Sequence, residues 1–339
     1  MGNRILLVTT KYTVFGQPLR RAFESLGCQV RSVDYWGNVV LMPGTYMHRA
    51  TAKLPRRLGN LIIALAQRHI DRRILSEARD FKPDLIFVIK AKGIREETLK
   101  KLRAIAKTAN YYPETFDHWE TLKRIASQFD FLFNYDAEVV RRLYEEGFRR
   151  VHYIPFSADI EKNKPSPDFS GRKYAITFVG SFMPVRYSQR ETILSRIKDL
   201  GLHVWGNKAW LSTELKDYYR GRPTDEEMLQ IYQNSKIVVN IDLMAGVPGT
   251  GVNLRPFEIT SAGALLMNHD DRKDIFNLFE NGKEFIAFCG PDDIRSKVIY
   301  YLDHEEERMK VAAAGFERTQ RTHTYIDSAK AMLSIINHG

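Results

Sequence analysis

The run Arg4-Ile-Leu-Leu-Val-Thr-Thr10, a loop holding Gly16, a helical stretch from Pro18 to Leu26 and then Gln29-Val-Arg-Ser-Val-Asp34 decide the fold class. An unbroken apolar run bounded by turn residues reads as a buried parallel strand, so the whole is a βαβ opening. Outward from it the same alternation recurs: strand Pro83–Ile89, helix Glu96–Lys107, strand Ala109–Tyr112, strand Phe131–Asn134, helix Ala137–Glu146 and strand Val151–Pro155. Strands alternating with helices imply a doubly wound parallel sheet.

Residues Glu161 to Lys173, with Pro165, Ser166, Pro167, Ser170 and Gly171, are polar and rich in breakers, which places a domain junction there. A second series follows: strand Ala175–Val179, helix Gln189–Leu200, strand His203–Trp205, helix Asp225–Asn234, strand Ile237–Asn240, helix Pro256–Ala262 and strand Leu265–Met267. The expected architecture is α/β with two Rossmann-like domains, residues 1–160 and 174–316. The amphipathic tail from Glu305 to about Ile336 is expected to be helical, its part 317–339 returning to the first domain.

Composition agrees. The 339 residues are 44% apolar and 27% charged, ordinary for a globular chain and long for one average domain. Cys28 and Cys289 alone exclude a disulfide scaffold and a multi-cysteine zinc site, and fit a reducing compartment. The apolar run near Met1 is too short for a signal-peptide core or a membrane span, and Met1-Gly2 lacks the rest of a myristoylation pattern. The expectation is a cytoplasmic protein, with attachment at the inner membrane surface as its one membrane-related variant.

Charge is unevenly placed. Residues 1–160 carry 27 Lys and Arg against 17 Asp and Glu, whereas residues 161–339 carry 24 of each, so the whole formal charge of +10 belongs to the first part. Within it, Arg49, Lys53, Arg56, Arg57, Arg68, Arg72 and Arg73 face one acid, Asp71, across residues 49–73, while Leu54, Leu58, Leu61, Ile62 and Leu65 recur at helical spacing. This is a basic amphipathic helix. It is either a surface helix whose apolar stripe belongs to the core, or a face for an anionic acceptor, a membrane surface or nucleic acid. Nucleic acid ranks below lipid, because no helix-turn-helix, zinc-finger or RNP pattern accompanies the basic run.

The segment richest in chemistry is Gly249-Thr-Gly-Val-Asn-Leu-Arg-Pro-Phe-Glu-Ile-Thr-Ser-Ala-Gly263. Small residues let a backbone approach a ligand, and Pro256 suits the first turn of a helix whose terminus attracts phosphate. Gly251, Val252 and Asn253 would supply backbone contacts, Arg255 a bidentate phosphate contact, and Glu258 acceptors for a vicinal diol such as ribose. The competing reading is a helix start in which Glu258 only favours the dipole. Gly180, closing Phe178-Val-Gly-Ser-Phe182, with Arg186 after it, and Gly206 after Trp205 are further candidates around a nucleotide. Trp205 and Tyr232 read equally as core aromatics.

For catalysis the first domain offers Tyr111-Tyr-Pro-Glu-Thr-Phe-Asp-His118 at a strand end, with Glu114, Asp117 and His118 able to deprotonate an acceptor hydroxyl or orient a donor sugar. Asp117 as a helix cap beside His118 is the structural alternative. Asp270-Asp271 reads equally as a metal-bound diphosphate site or as helix caps, and no obligatory metal is expected. Walker A, nucleophilic-serine and G-x-G-x-x-G patterns are absent, and Gly246-Val-Pro-Gly-Thr-Gly251 lacks the lysine of a P-loop.

Asn253-Leu-Arg-Pro-Phe-Glu-Ile-Thr-Ser-Ala-Gly-Ala-Leu-Leu-Met267, with Phe279-Glu-Asn-Gly-Lys-Glu-Phe-Ile-Ala-Phe-Cys-Gly-Pro-Asp-Asp293 downstream, resembles the donor-binding domain of GT-B glycosyltransferases, and more narrowly the CgeB-like spore maturation proteins. Lys82–Lys90, Phe131–Asp136, Gly147 and Tyr153–Pro155 extend the resemblance over nearly the whole chain. It implies two Rossmann domains facing across a cleft, the second holding a nucleoside diphosphate sugar, with a UDP-sugar the leading donor. Glu258 would take the family's ribose-binding position, and Arg255 with the Gly251–Asn253 backbone the diphosphate. Many retaining members carry an earlier glutamate as well; here Thr250 or Gly251 stands at that position. The resulting expectation is a glycosyltransferase acting on an anionic acceptor such as a lipid phosphate, a cell-envelope glycan or modified DNA. A sugar-nucleotide epimerase of the same fold and a non-catalytic protein that binds anionic surfaces are the alternatives.

Overall fold

The computed structural model describes residues 3–10, 13–35, 54–91, 94–162, 169, 171–242 and 249–339. Arg49 and Lys53 of the basic run, the linker residues Pro165, Ser166, Pro167 and Ser170, and Gly246-Val-Pro248 lie outside them.

The chain divides into two compact units. One comprises Met1–Tyr135, Val139–Ile154 and Tyr325–Gly339; the other comprises Asp136–Glu138 and Pro155–Thr324. The changeovers fall at 154/155 and 324/325, so residues 155–173 and 317–324 group with the second unit.

In unit 1, the strands β1 (Arg4–Thr9), β2 (Gln29–Asp34), β3 (Leu85–Ile89), β4 (Lys107–Tyr111), β5 (Phe131–Asn134) and β6 (Val151–Tyr153) form one parallel sheet in the order β2-β1-β3-β4-β5-β6. The central strands are continuous apolar runs because both of their faces are covered: Ile5 to Val8 and Ile86 to Val88 have no solvent exposure. Leu6 pairs with Ile86 and Val8 with Val88. The covering helices are α1 (Gly16–Ser25), α2 (Arg56–Phe81), α3 (Glu96–Arg103), α4 (Trp119–Gln128), most of α5 (Ala137–Glu145) and α12 (Tyr325–His338), with α12 lying against α1.

Unit 2 holds β7 (Tyr174–Val179), β8 (Leu202–Trp205), β9 (Ser235–Asn240), β10 (Leu265–His269) and β11 (Ile286–Phe288), all parallel, in the order β11-β10-β9-β7-β8. Its helices are α6 (Gln189–Ser195), α7 (Asp225–Gln233), α8 (Arg255–Ser261), α9 (Ile275–Leu278), α10 (Pro291–Asp303) and α11 (Glu305–Thr322). Taken in chain order, its five strands repeat the arrangement of the first five in unit 1. In both sheets the order reverses beside the first strand, so the switch point lies between β1 and β3 and between β7 and β9. Open parallel sheets bind ligands beyond the carboxyl ends of such strands.

Several elements differ in length from the sequence reading. The helix expected to reach Lys107 ends at Arg103, because Lys107 already pairs with Leu85 in the sheet. The helix expected over Gln189–Leu200 stops at Ser195 and resumes as a short 3-10 turn, Lys198–Leu200. The tail is two helices. Between them, His323 places its carbonyl on the Ala158 N–H at 2.8 Å and its Nε2 2.9 Å from the Leu278 carbonyl, which anchors the break in unit 2. Helix α10, absent from the sequence reading, carries a proline at its start and Asp292 and Asp293 in its first turn, a legible N-terminal pattern.

Candidate active site

At the switch point of unit 2 a buried arginine joins the two strand ends. Arg190, on the first turn of α6, donates from Nε and Nη2 to the Ile241 carbonyl at 3.0 and 2.7 Å and from Nη1 to the Ser181 carbonyl at 2.6 Å. Its guanidinium lies 3.7 Å from the centre of the Tyr187 ring. Burial pulls its pKa down to about 10, still charged at neutral pH. Sequence reasoning named Arg186, which is half-buried on the preceding turn, and missed Arg190. The available signal was the spacing Gly180 to Arg190 at a strand-to-helix turn, which does not distinguish the two arginines.

Asp242, next along from Ile241, is the second group not foreseen. Burial pushes its carboxyl up to about 6, against the pull of Arg272 and Arg190 and with a further push from Asp271. Its Oδ2 accepts the Asn253 N–H at 3.0 Å, so the carboxylate pins the loop that leads into α8. The Asn253 side chain closes that loop from the other side. Its Oδ1 accepts the Arg255 N–H at 2.9 Å and its Nδ2 donates to Asn240 at 3.4 Å, making Asn253 an anchor for the start of α8.

Arg255 and Glu258 sit one helical turn apart on α8 and bind each other, Nη1 to Oε2 at 2.7 Å. Burial raises the Glu258 carboxyl, and Arg255 counters that shift. Burial depresses Arg255, but the Tyr232 hydroxyl and Glu258 outweigh it and hold the guanidinium above its usual value. Their side chains are 34% and 19% exposed, so this pair keeps an open side on which a ligand can compete for or add to its hydrogen bonds. The arrangement is a diol acceptor and an anion donor held side by side.

The glycines have a reason within the protein itself. A Cβ at Gly180 would stand 2.8 Å from the Phe178 ring, and one at Gly206 would run into the Gly180 carbonyl. The N–H of Gly180 donates to the Trp205 carbonyl and that of Gly206 to the Gly221 carbonyl, each at 2.9 Å, so the Gly180 N–H expected to meet a diphosphate is already engaged within the protein. A Cβ at Gly251 would stand 2.7 Å from that of Asp136. Asp136 is wholly buried, accepts from the Thr250 N–H and hydroxyl at 3.2 and 3.3 Å, and caps α5 through the Glu138 N–H. Thr250 is therefore bound to a carboxylate from a distant part of the chain. Val252 is buried, and Trp205 and Tyr232 are core aromatics. Arg272, also buried, donates to the Gly249 carbonyl at 2.8 Å and lies 3.4 Å from Asp271. Asp270 is paired with Lys273 and Asp271 with His269. Among the described residues no three His, Cys, Asp or Glu side chains gather as a metal site.

In unit 1, Glu114 and His118 come together, and Lys90 joins them. Glu114 Oε1 accepts from Lys90 Nζ at 2.8 Å, and its Oε2 lies 3.7 Å from His118 Nε2. The Asn134 side chain fixes the loop by donating to the Tyr112 and Glu114 carbonyls at 2.6 and 3.0 Å. Lys90 directly follows β3 at the switch point. Lys90 and Ala91 both have positive φ, 67° and 59°, a conformation that side-chain-bearing residues adopt at a cost and that aims Lys90 toward the β4 loop. Asp117 is exposed and lies within the 3-10 turn Phe116–His118, with His118 rather than Asp117 at the position before α4.

Residues 189–334 match a family model described as glycosyl transferase-like. No match was found among curated proteins. Among solved structures, a sucrose-phosphate synthase from Thermosynechococcus elongatus superimposes with a TM-score of 0.68 at 12% identity, covering 99% of this chain and 98% of that one. HepE of Anabaena, solved in complex with UDP-glucose, gives 0.64 at 10% identity over 99% and 100%. A glycosyltransferase from Rickettsia africae gives 0.64 at 11% identity over 99% and 98%. The matched segment 189–334 holds Arg190, Asp242, Arg255 and Glu258, and the chain as a whole has the GT-B fold, two Rossmann-like parallel-sheet domains.

Proposed function

We propose that the protein transfers a sugar from a nucleoside diphosphate sugar, a UDP-sugar, to a hydroxyl of an anionic acceptor. The observation that carries this reading is the Arg255–Glu258 pair at the start of α8, open on one side and braced by Asn253 and Asp242 at the carboxyl edge of the unit 2 sheet. Glu258 accepts hydrogen bonds from the ribose hydroxyls, and Arg255 neutralises charge on the diphosphate as the bond from its oxygen to the anomeric carbon breaks. That HepE was solved with UDP-glucose and with UDP supports the choice of base. The Asn253–Met267 run supports a place beside the CgeB-like proteins.

Unit 1 contributes the acceptor side. His118 takes the acceptor hydroxyl's proton as the new bond to the anomeric carbon forms. Glu114 orients the imidazole, and Lys90 holds Glu114 in place. The exposed Asp117 has no assigned step. Residues 1–160, with all of the excess positive charge, attract an anionic acceptor.

Thermal shifts with a panel of nucleoside diphosphates and their sugars test the donor, since a ligand bound only to the native state raises the melting temperature. UDP and one UDP-sugar are expected to shift it selectively. Glu258→Ala should weaken donor binding roughly tenfold to a hundredfold with the fold intact, the value of charged hydrogen bonds. Unchanged donor affinity in calorimetry removes Glu258 from the site. Product analysis with and without acceptor separates transfer from epimerisation, which needs no acceptor.

A further inference from the structure

Helix α2 has two apolar faces, and only one of them is used by the fold. Ala66, Ile70, Ile74, Ala78 and Phe81 are buried. Leu58, Leu61 and Leu65, with Leu54 just before the helix, are between 38% and 55% exposed. At about 100° per residue the leucines fall within one narrow stripe, and the buried set lies on the opposite side of the helix. The sequence reading in which this stripe belongs to the core is therefore incorrect: the core takes the other face.

The outward stripe changes character along the helix. Beyond Leu65 the same side carries Arg68 and Arg72, both exposed, and Arg57 flanks the leucines. The one acid between residues 54 and 73, Asp71, is 1% exposed and bound by Arg95, so the exposed part of this stretch carries no negative charge. Large exposed apolar stripes mark interaction sites, and a row of leucines beside arginines matches the boundary of an anionic bilayer, where acyl chains take the apolar groups and headgroup phosphates the cations. Nucleic acid would use the arginines and leave the leucines in water. Pairing with a second copy would bury the leucines but bring arginines of both copies together with no exposed acid to offset them.

We infer that the outward face of α2, formed by Leu54, Leu58, Leu61 and Leu65 with Arg57, Arg68 and Arg72, docks the protein onto an anionic lipid surface. The helix lies in the interface and does not span it: no helix among the described residues is long and apolar enough to cross a membrane. The inference does not depend on the sugar-transfer reading, because its readout is lipid binding.

The test is flotation of the full chain with vesicles of phosphatidylcholine alone and with about one-third phosphatidylglycerol, for the natural protein, Leu58→Ser/Leu61→Ser and Arg68→Glu/Arg72→Glu. The natural protein is expected to float with the anionic vesicles only, and its binding to weaken as salt shortens the range of the charges. Each double variant should lose binding by roughly tenfold or more, with an unchanged melting temperature. Failure of the natural protein to bind anionic vesicles overturns the inference. So does binding that survives loss of the leucines, or light scattering in which the leucine variant turns a dimer into a monomer. Binding to duplex DNA with the same dependence on the arginines and none on the leucines likewise assigns the face to nucleic acid.

Discussion

Arginines in the two units do opposite things. In unit 2, Arg190 and Arg272 are buried and spend their donors on backbone carbonyls, tying the loops after β7 and β9 and before α8 into one frame. In unit 1, Arg68 and Arg72 stand in water on a helix that would hold its place without them. A buried guanidinium shapes a site; an exposed one projects a field. The +10 of residues 1–160 is the part of that contrast visible in the sequence.

The largest effect expected from breaking this contrast is at Arg190. Replacing it with Met takes both donors from the buried Ile241 carbonyl and one from the part-buried Ser181 carbonyl, a loss on the order of 3 kcal/mol in urea unfolding. A loss below 1 kcal/mol would mean that the strand ends hold each other without the arginine.

A smaller effect, and one with a pH signature, belongs to Asp242. Its folded pKa of about 6 lies above the ordinary carboxylate value, so the folded chain binds this proton more tightly than the unfolded chain does. The contribution of this group to stability therefore falls as pH rises from about 4 through about 6, and levels off below and above that range. Asp242→Asn lacks the titration, so the difference between natural and variant proteins should change by on the order of 2 kcal/mol across that interval. Parallel unfolding curves from pH 4 to 7 would remove Asp242 from the buried charge network.

The smallest effect is expected on the outward face of α2. Leu61→Ala should alter stability by less than about 0.5 kcal/mol, whereas Ile74→Ala, on the buried face, should cost about 3 kcal/mol. Equal losses at the two positions would show that the leucine stripe is covered after all.

Much of this molecule was legible before folding. The apolar runs at Ile5–Val8, Leu85–Ile89 and Ile176–Val179 are strands for the reason read from them, burial on both faces of a parallel sheet. The Asn253 to Glu258 stretch presents its charged pair because an anchoring asparagine, a proline and a one-turn spacing are local features. At other positions the structure adds contacts that are remote in sequence. Asp136 reaches Thr250 and Gly251, and Gly180 meets Gly206, so those glycines answer to protein neighbours that spacing cannot reveal.

What the sequence by itself determined is the alternation of strands and helices, the placing of Arg255 and Glu258 at the start of one helix and the placing of net charge, all of which follow from periodicity, local turns and counting. Only the tertiary structure decided that Arg190 rather than Arg186 enters the strand-end frame, that Lys90 joins Glu114, and that α2 turns its leucines outward. The reason is the same in each case. A helix with two apolar faces, or a turn with two arginines, satisfies local rules in either orientation, and the choice is made by the sheet against which it packs.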